Sequence, residues 1–193
     1  MTHPTQIHTY FAAKGGQGTT VTAAVVALMH ARAGRSTLLV DAAEPHDSHA
    51  VLGLAEPAEP RQPTPVVAHL DLCRAEPATI PTELDGYEIV VIDAGHRPAP
   101  EPGTTTLVTR SCYLALRHAV ALAVAPDRVV LIQEPERALR HDDIAAVLGR
   151  PVVTVPASPA VARTVDAGLL AGRIPNCLHP LTTLTDTTHP ADS

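Results

Sequence analysis

Lysine is almost missing from this chain. Of the 14 Lys and Arg residues, only Lys14 is lysine. Abundant alanine, proline and arginine suggest GC-rich coding sequence, a bias that turns interchangeable lysines into arginines. A lone survivor marks a place where a compact ammonium fits and a wide planar guanidinium does not, and Lys14 lies inside a glycine-rich loop. Positive charge as a whole is scarce: the formal net charge of -6 excludes a chain-wide basic field for nucleic acid, though not a local patch. The three cysteines, Cys73, Cys112 and Cys177, are far apart and odd in number. That spacing offers neither a disulfide framework nor a zinc site, so reduced, mostly buried thiols are expected. No apolar run is long enough to span a bilayer, and "MTHPTQIHTYF" has no basic segment followed by an apolar one. No basic amphipathic helix ends the chain, so membrane recruitment is unsupported and a cytoplasmic location is expected.

What is present alternates. A short strand over 7–12 enters "KGGQGTT", and "TVTAAVVALMHARA" (20–33) reads as a helix stopped by Gly34. "STLLVDA" (36–42) and "YEIVVIDAG" (87–95) contain continuous apolar runs, the pattern of parallel strands buried on both faces. Between them come a Pro/Glu connector (55–65), a strand "VVAHLDLC" (66–73) and a proline-broken segment to Asp85. A proline-rich loop, "HRPAPEPG", then leads to strand "TTTLVT" and helix "SCYLALRHAVALA". Strand "RVVLIQ", helix "RHDDIAAVLG", strand "PVVTVP" and helix "SPAVARTVDAGLLAG" follow. Strands alternating with helices predict an α/β fold: a doubly wound, mainly parallel sheet with helices on both faces. The expected organisation is one domain over 1–175 and a polar Thr/Pro-rich tail over 176–193 that frays.

The chemistry gathers where a strand, a glycine loop and a helix start meet. Backbone N–H groups and a helix N-terminus there form an anion site, and phosphate is its natural guest. Gly15, Gly16 and Gly18 let the backbone approach phosphate oxygens, and the Thr20 hydroxyl is placed to ligate Mg²⁺. Asp41 and Asp93 each end a buried strand, at the edge where open parallel sheets bind ligands, and a carboxylate there can hold magnesium through water.

These stretches, together with "VVTVPASPAVARTVDAG", resemble the ParA/MinD family of deviant P-loop ATPases over residues 7 to 172. The resemblance implies a P-loop NTPase-like fold, ATP and Mg²⁺ as cofactors, and a homodimer in which the family's first loop lysine, here Lys14, reaches the partner's phosphates. It implies catalytic roles for Lys14 and Asp41, and nucleotide contacts from Lys14, Gly15, Gly16, Gln17, Gly18, Thr19, Thr20 and Val21. Gln133 and Pro156 fall where relatives contact the base, Thr20 and Asp93 where they hold the metal, and Gly95 where they sense the γ-phosphate. Two departures bear on mechanism. The family's second lysine falls on Thr19, and its water-orienting acid falls on Ala43, with Glu44 or Asp47 as substitutes if the loop is shifted. Losing one cation and one acid should slow phosphoryl transfer by orders of magnitude and leave binding weakened but intact.

The resulting expectation is a nucleotide-dependent dimerising switch in plasmid, phage or chromosome partitioning, with slow or impaired hydrolysis. A partner of centromere-binding type and non-specific DNA are its implied contacts. The alternative is a pseudo-ATPase scaffold that positions a polar machine such as a pilus or secretion apparatus. Arg128, Arg137, Arg140, Arg150, Arg163 and Arg173 interleave with acids and read as a mixed solvated surface. His46 and His49 read as solvated loop residues rather than metal ligands.

Overall fold

The computed structural model describes residues 4–59, 61–75, 86–96 and 103–186. The proline-broken segment 76–85 and most of the loop before Gly103 therefore lie outside the described residues. The elements in chain order are β1 (Gln6–Phe11), α1 (Thr19–Arg32), β2 (Thr37–Asp41), α2 (Ser48–Leu52), β3 (Thr64–Val67), β4 (Leu70–Arg74) and β5 (Ile89–Asp93). They continue with β6 (Thr104–Arg110), α3 (Tyr113–Val120), β7 (Arg128–Gln133), α4 (His141–Leu148), β8 (Val152–Pro156), α5 (Pro159–Asp166) and a 3₁₀ helix (Asn176–Leu184).

The eight strands form one sheet in the order β3-β4-β2-β5-β1-β6-β7-β8, and every pairing except β3 with β4 is parallel. Alternation along each strand sorts its side chains between two faces. Leu39, Ile89, Val91, Val108 and Val130 pack with α1 on one face, whereas Phe11, Leu107, Val129 and Leu131 pack with Leu116 of α3 and Ile144 of α4 on the other. Helices thus cover both faces, as the doubly wound reading requires. The same alternation places Asp41, two residues after Leu39, and Asp93, two after Val91, on the α1 side.

Helix α1 is apolar around its whole circumference because it is covered all round: the sheet lies beneath it, with α2 and the 3₁₀ helix beside it. Ten of its fourteen residues are buried, so it is the spine of this layer rather than a surface helix.

Four expectations are corrected. The single strand 66–73 is a hairpin: β3 and β4 pair antiparallel, and His69 takes a φ of 65° in the turn between them. The last long helix ends at Asp166 rather than Gly172. Gly168 adopts a φ of 65°, its N–H donates to the Val165 carbonyl and that of Leu169 to Thr164, a closure that terminates the helix. A short helix, α2, occupies residues read as loop, and His49 within it is buried rather than solvated.

The expected frayed tail is, over Asn176–Leu184, an ordered 3₁₀ helix. Leu178, Leu181 and Leu184 recur every three residues, so the three-residue turn puts them on one buried face against α1 and β8. Arg35 fastens its end by donating from Nη2 to the Thr185 carbonyl at 3.0 Å.

Candidate nucleotide-binding site

The glycine loop links β1, at the centre of the sheet, to α1. Its base is stitched to the end of β5: the Ala12 N–H donates to the Gly95 carbonyl at 2.8 Å and the Ala94 N–H to the Tyr10 carbonyl at 2.9 Å. Gly16 and Gly18 have φ of 77° and 92°, a region that side chains with a Cβ rarely enter. A Cβ built on Gly15 or Gly16 would meet nothing within 4 Å, so the space above the loop is open. Gly18 begins α1 without a side-chain cap, and no acidic residue occupies the first turn. The first-turn N–H groups and the positive end of the helix dipole are therefore left for an anion.

The side chains around this opening are unequal. Lys14 is half-buried and has no carboxylate partner among the described residues. Thr19, where the resemblance puts a second lysine, is only 6 % exposed and adds no charge. Gln17 is turned away from solvent: its Nε2 donates to the Gly15 carbonyl and its Oε1 accepts the Arg110 N–H at 3.0 Å, fastening the loop to β6. Its backbone stays in the loop.

Asp41 and Asp93 stand opposite one another in the β2–β5 register. The Asp41 carboxylate is committed to the loop that follows it. Its Oδ1 accepts the Ala43 N–H and its Oδ2 the Ser48 N–H at 3.0 Å, and His46 Nδ1 lies 3.5 Å from Oδ1. Asp93 Oδ1 accepts the Gly95 N–H, but its Oδ2 is buried and has no partner. Burial pushes the Asp93 pKa up from 3.8 to about 6; the Thr20 hydroxyl and the Gly95 amide pull it down, and Asp41 and Asp47 add to the rise. A buried carboxylate oxygen without a donor, beside a threonine hydroxyl, is the oxygen set that a hard divalent cation takes.

This strain is measurable without ligand. The folded chain binds the Asp93 proton more tightly than the unfolded one, so the ionised carboxylate costs the fold up to about 3 kcal/mol well above pH 6. That cost fades as pH falls towards the unfolded value. Asp93→Asn is expected to raise the urea midpoint at about pH 7.5 and to leave it near wild type at about pH 4. An unchanged midpoint at the higher pH would show that Asp93 carries no such strain.

Beside the loop opens a cavity of about 780 Å³, lined by Gln17, Gly18 and Val21 from the α1 side and by Pro156 and Val161 from the β8–α5 side. Arg110, Glu134 and Arg137 close its rim. Glu134 Oε1 accepts from Arg110 Nη1 at 3.1 Å and Oε2 from Arg137 Nε at 3.0 Å. Partial burial works against its charge, but the hydrogen bonds and charges of Arg137 and Arg110 hold the carboxyl below its ordinary value.

Of the residues singled out in the sequence, Gln17, Gly18, Val21 and Pro156 share this cavity, while Thr20 and Asp93 meet beside it. Gln133 does not line it, because its Nε2 donates to the Glu134 and Leu139 carbonyls. Sequence reading missed Arg110. The available signal was its place at the carboxyl end of "TTTLVTR", a strand whose neighbour in the sheet delivers the glycine loop. Among the described residues, no cluster of three or more His, Cys, Asp or Glu could hold a metal by itself.

No protein-family model matches the sequence, and no curated protein matches it. Solved structures do match along nearly the whole chain. The septum site-determining protein MinD of Pyrococcus horikoshii OT3, complexed with Mg-ADP, is 17 % identical with a TM-score of 0.77, covering 95 % of this chain and 97 % of its own. A ParA family ATPase from Chlorobium tepidum TLS is 15 % identical with a TM-score of 0.70, covering 93 % and 96 %. A putative plasmid partition protein of Borrelia burgdorferi B31, bound to AMPPNP, is 14 % identical with a TM-score of 0.63, covering 94 % and 98 %. At these identities what the likeness carries is architecture, and the chain is built on the fold of the ParA and MinD ATPases.

Proposed function

We propose that this protein is a ParA-like, nucleotide-dependent dimerising switch that binds ATP with Mg²⁺ and hydrolyses it slowly or not at all. The observation that carries this reading is the uncapped, glycine-turned start of α1 beside the unpartnered Oδ2 of Asp93. Support comes from the solved relatives that hold Mg-ADP and AMPPNP on the same fold. In this reading the N–H groups of residues 15–20 and the Lys14 ammonium hold the phosphates, Thr20 and Asp93 hold the metal, and the Val21 and Pro156 walls flank the base. Bound Mg²⁺ supplies neutralisation of phosphate charge. Asp41 positions the loop between β2 and α2 through the Ala43 and Ser48 amides. With no carboxylate partner among the described residues, Lys14 is available to the phosphates of a second subunit.

Impaired hydrolysis follows from two side chains. Thr19 brings no cation, and Ala43 packs on the switch glycine so tightly that a Cβ added at Gly95 would lie 3.0 Å from the Ala43 Cβ. A methyl thus stands where the resemblance places the acid that orients water. Phosphoryl transfer depends on charge stabilisation and positioning, so both losses act on the rate. The finer role is partitioning of plasmid, phage or chromosome DNA, with a centromere-binding type of partner and non-specific DNA as contacts. The same two residues favour a second reading, a scaffold that positions its cargo through protein contacts without turnover.

Isothermal titration with ATP and Mg²⁺, followed by sedimentation, separates the readings. Lys14→Ala is expected to weaken ATP about 10- to 100-fold, the loss of one charged contact, and to abolish the ATP-dependent dimer. Wild-type protein that binds no ATP would leave only the scaffold. Turnover at a rate ordinary for P-loop enzymes would refute the impaired-hydrolysis claim.

A further inference from the structure

The Arg110–Glu134–Arg137 network on the cavity rim has no part in the reading above. Arg110 ends β6 next to the glycine loop, and its main chain is fixed there by the bond from its N–H to Gln17 Oε1 at 3.0 Å. Arg110 lines the same cavity as Gln17, Gly18 and Thr22. One end of its guanidinium is held by Glu134 at 3.1 Å, while its Nε is buried without any acceptor. Two arginines thus share a single carboxylate beside a loop whose expected second cation is a buried threonine.

We propose that Arg110 is the phosphate-binding cation that replaces the missing loop lysine, and that Glu134 holds it in reserve until a nucleotide takes its place. A guanidinium suits this exchange, because its planar fork can trade a carboxylate for phosphate oxygens with little change of geometry. Arg137 keeps Glu134 neutralised once Arg110 leaves, since its own bond to the other carboxylate oxygen is independent of the first. The inference rests on the cavity being a nucleotide site.

The test compares adenosine, ADP and ATP by isothermal titration on the full chain, with thermal melts to confirm folding. Arg110→Gln is expected to weaken ATP about 10- to 100-fold and to leave adenosine unchanged, with Arg110→Lys recovering part of the loss. Glu134→Gln is expected to tighten ATP several-fold, and only while Arg110 is present, so the double variant should bind no better than Arg110→Gln alone. Wild-type ATP affinity in Arg110→Gln overturns the inference and leaves the nucleotide reading standing. So does an equal loss for adenosine, which marks a merely structural role, or a Glu134→Gln gain that persists without Arg110, which marks long-range charge. Failure of the wild-type protein to bind any of the three ligands overturns the reading beneath it.

Discussion

Acidification from about pH 6.5 to about pH 4 is expected to cost the fold on the order of 5 kcal/mol through two buried histidines, offset by about 2 kcal/mol as the Asp93 carboxylate takes up its proton. His8 on β1 and His30 on α1 stack with ring centroids 5.4 Å apart and planes at 26°. They are 9 % and 0 % exposed, and neither His8 Nε2 nor either His30 nitrogen has a hydrogen-bond partner. Burial is the main cause that lowers both: His8 falls from 6.5 to about 4, with the charges of Arg128 and Arg35 adding to it. His30 falls to about 3, helped by Arg35, His8 and Arg128. Since the folded values lie below the unfolded value of 6.5, the unfolded chain holds more protons between those limits, and stability rises with pH through that window. The full stability is present above pH 6.5 and is lost on descent. Typical domains hold only about 5 to 15 kcal/mol in total, so even the net loss of about 3 kcal/mol is a large part of the stability. Urea midpoints across this range measure the slope, and replacing the pair by apolar residues (His8→Val with His30→Leu) should abolish the acid-side loss and leave the shallower, opposite slope of Asp93. An acid-side loss that survives the double replacement would mean that other groups govern the acid limb. Because the two rings join the strand and helix that carry the glycine loop, nucleotide affinity should fall over the same range.

Gly53→Ala is expected to cost at least about 3 kcal/mol, far more than an ordinary glycine replacement. Gly53 closes α2 with a φ of 74°, and a Cβ there would lie 2.1 Å from the Gly168 carbonyl oxygen and 2.8 Å from its carbon. Both neighbours are backbone, so no side chain can rotate away. Relief requires α2 and α5 to part. Gly34 is the internal control: its φ is 81°, but an added Cβ would meet nothing within 4 Å. Gly34→Ala should therefore cost only about 1 kcal/mol, the left-handed backbone preference alone. Thermal melts of the two variants decide the matter, and equal shifts would deny that the glycine contact is tight. The Gly53 variant also has a functional readout. The first N–H of α2, from Ser48, holds Asp41, and Val161 and Val165 of α5 line the cavity, so separating these helices should weaken nucleotide binding beyond the loss of stability.

The strands that carry the site were legible because they are buried on both faces. "TLLVD" and "IVVID" show it as unbroken apolar runs ending in an acid, and both acids come to the α1 side. Composition misled where periodicity was short. The Thr/Pro-rich segment after Pro175 reads as polar, although leucines every third residue are what a 3₁₀ turn needs to cover α1. Propensity misled at α5: "ARTVDAGLLAG" extends well as a helix on its own, and a tertiary contact at Gly168 stops it. Arg110 was hidden for a different reason. Its importance lies in which strand is next to β1, and that adjacency is set by a crossover between residues almost a hundred positions apart.

The half-buried ammonium at the head of the glycine loop also has a use as a reporter. Within these 193 residues it is the only ε-amine. An acylating reagent that spares the α-amino group therefore modifies a single lysine nitrogen, at the start of the glycine loop. The extent of its modification, with and without nucleotide, reports on the glycine loop alone, with no background from lysines elsewhere.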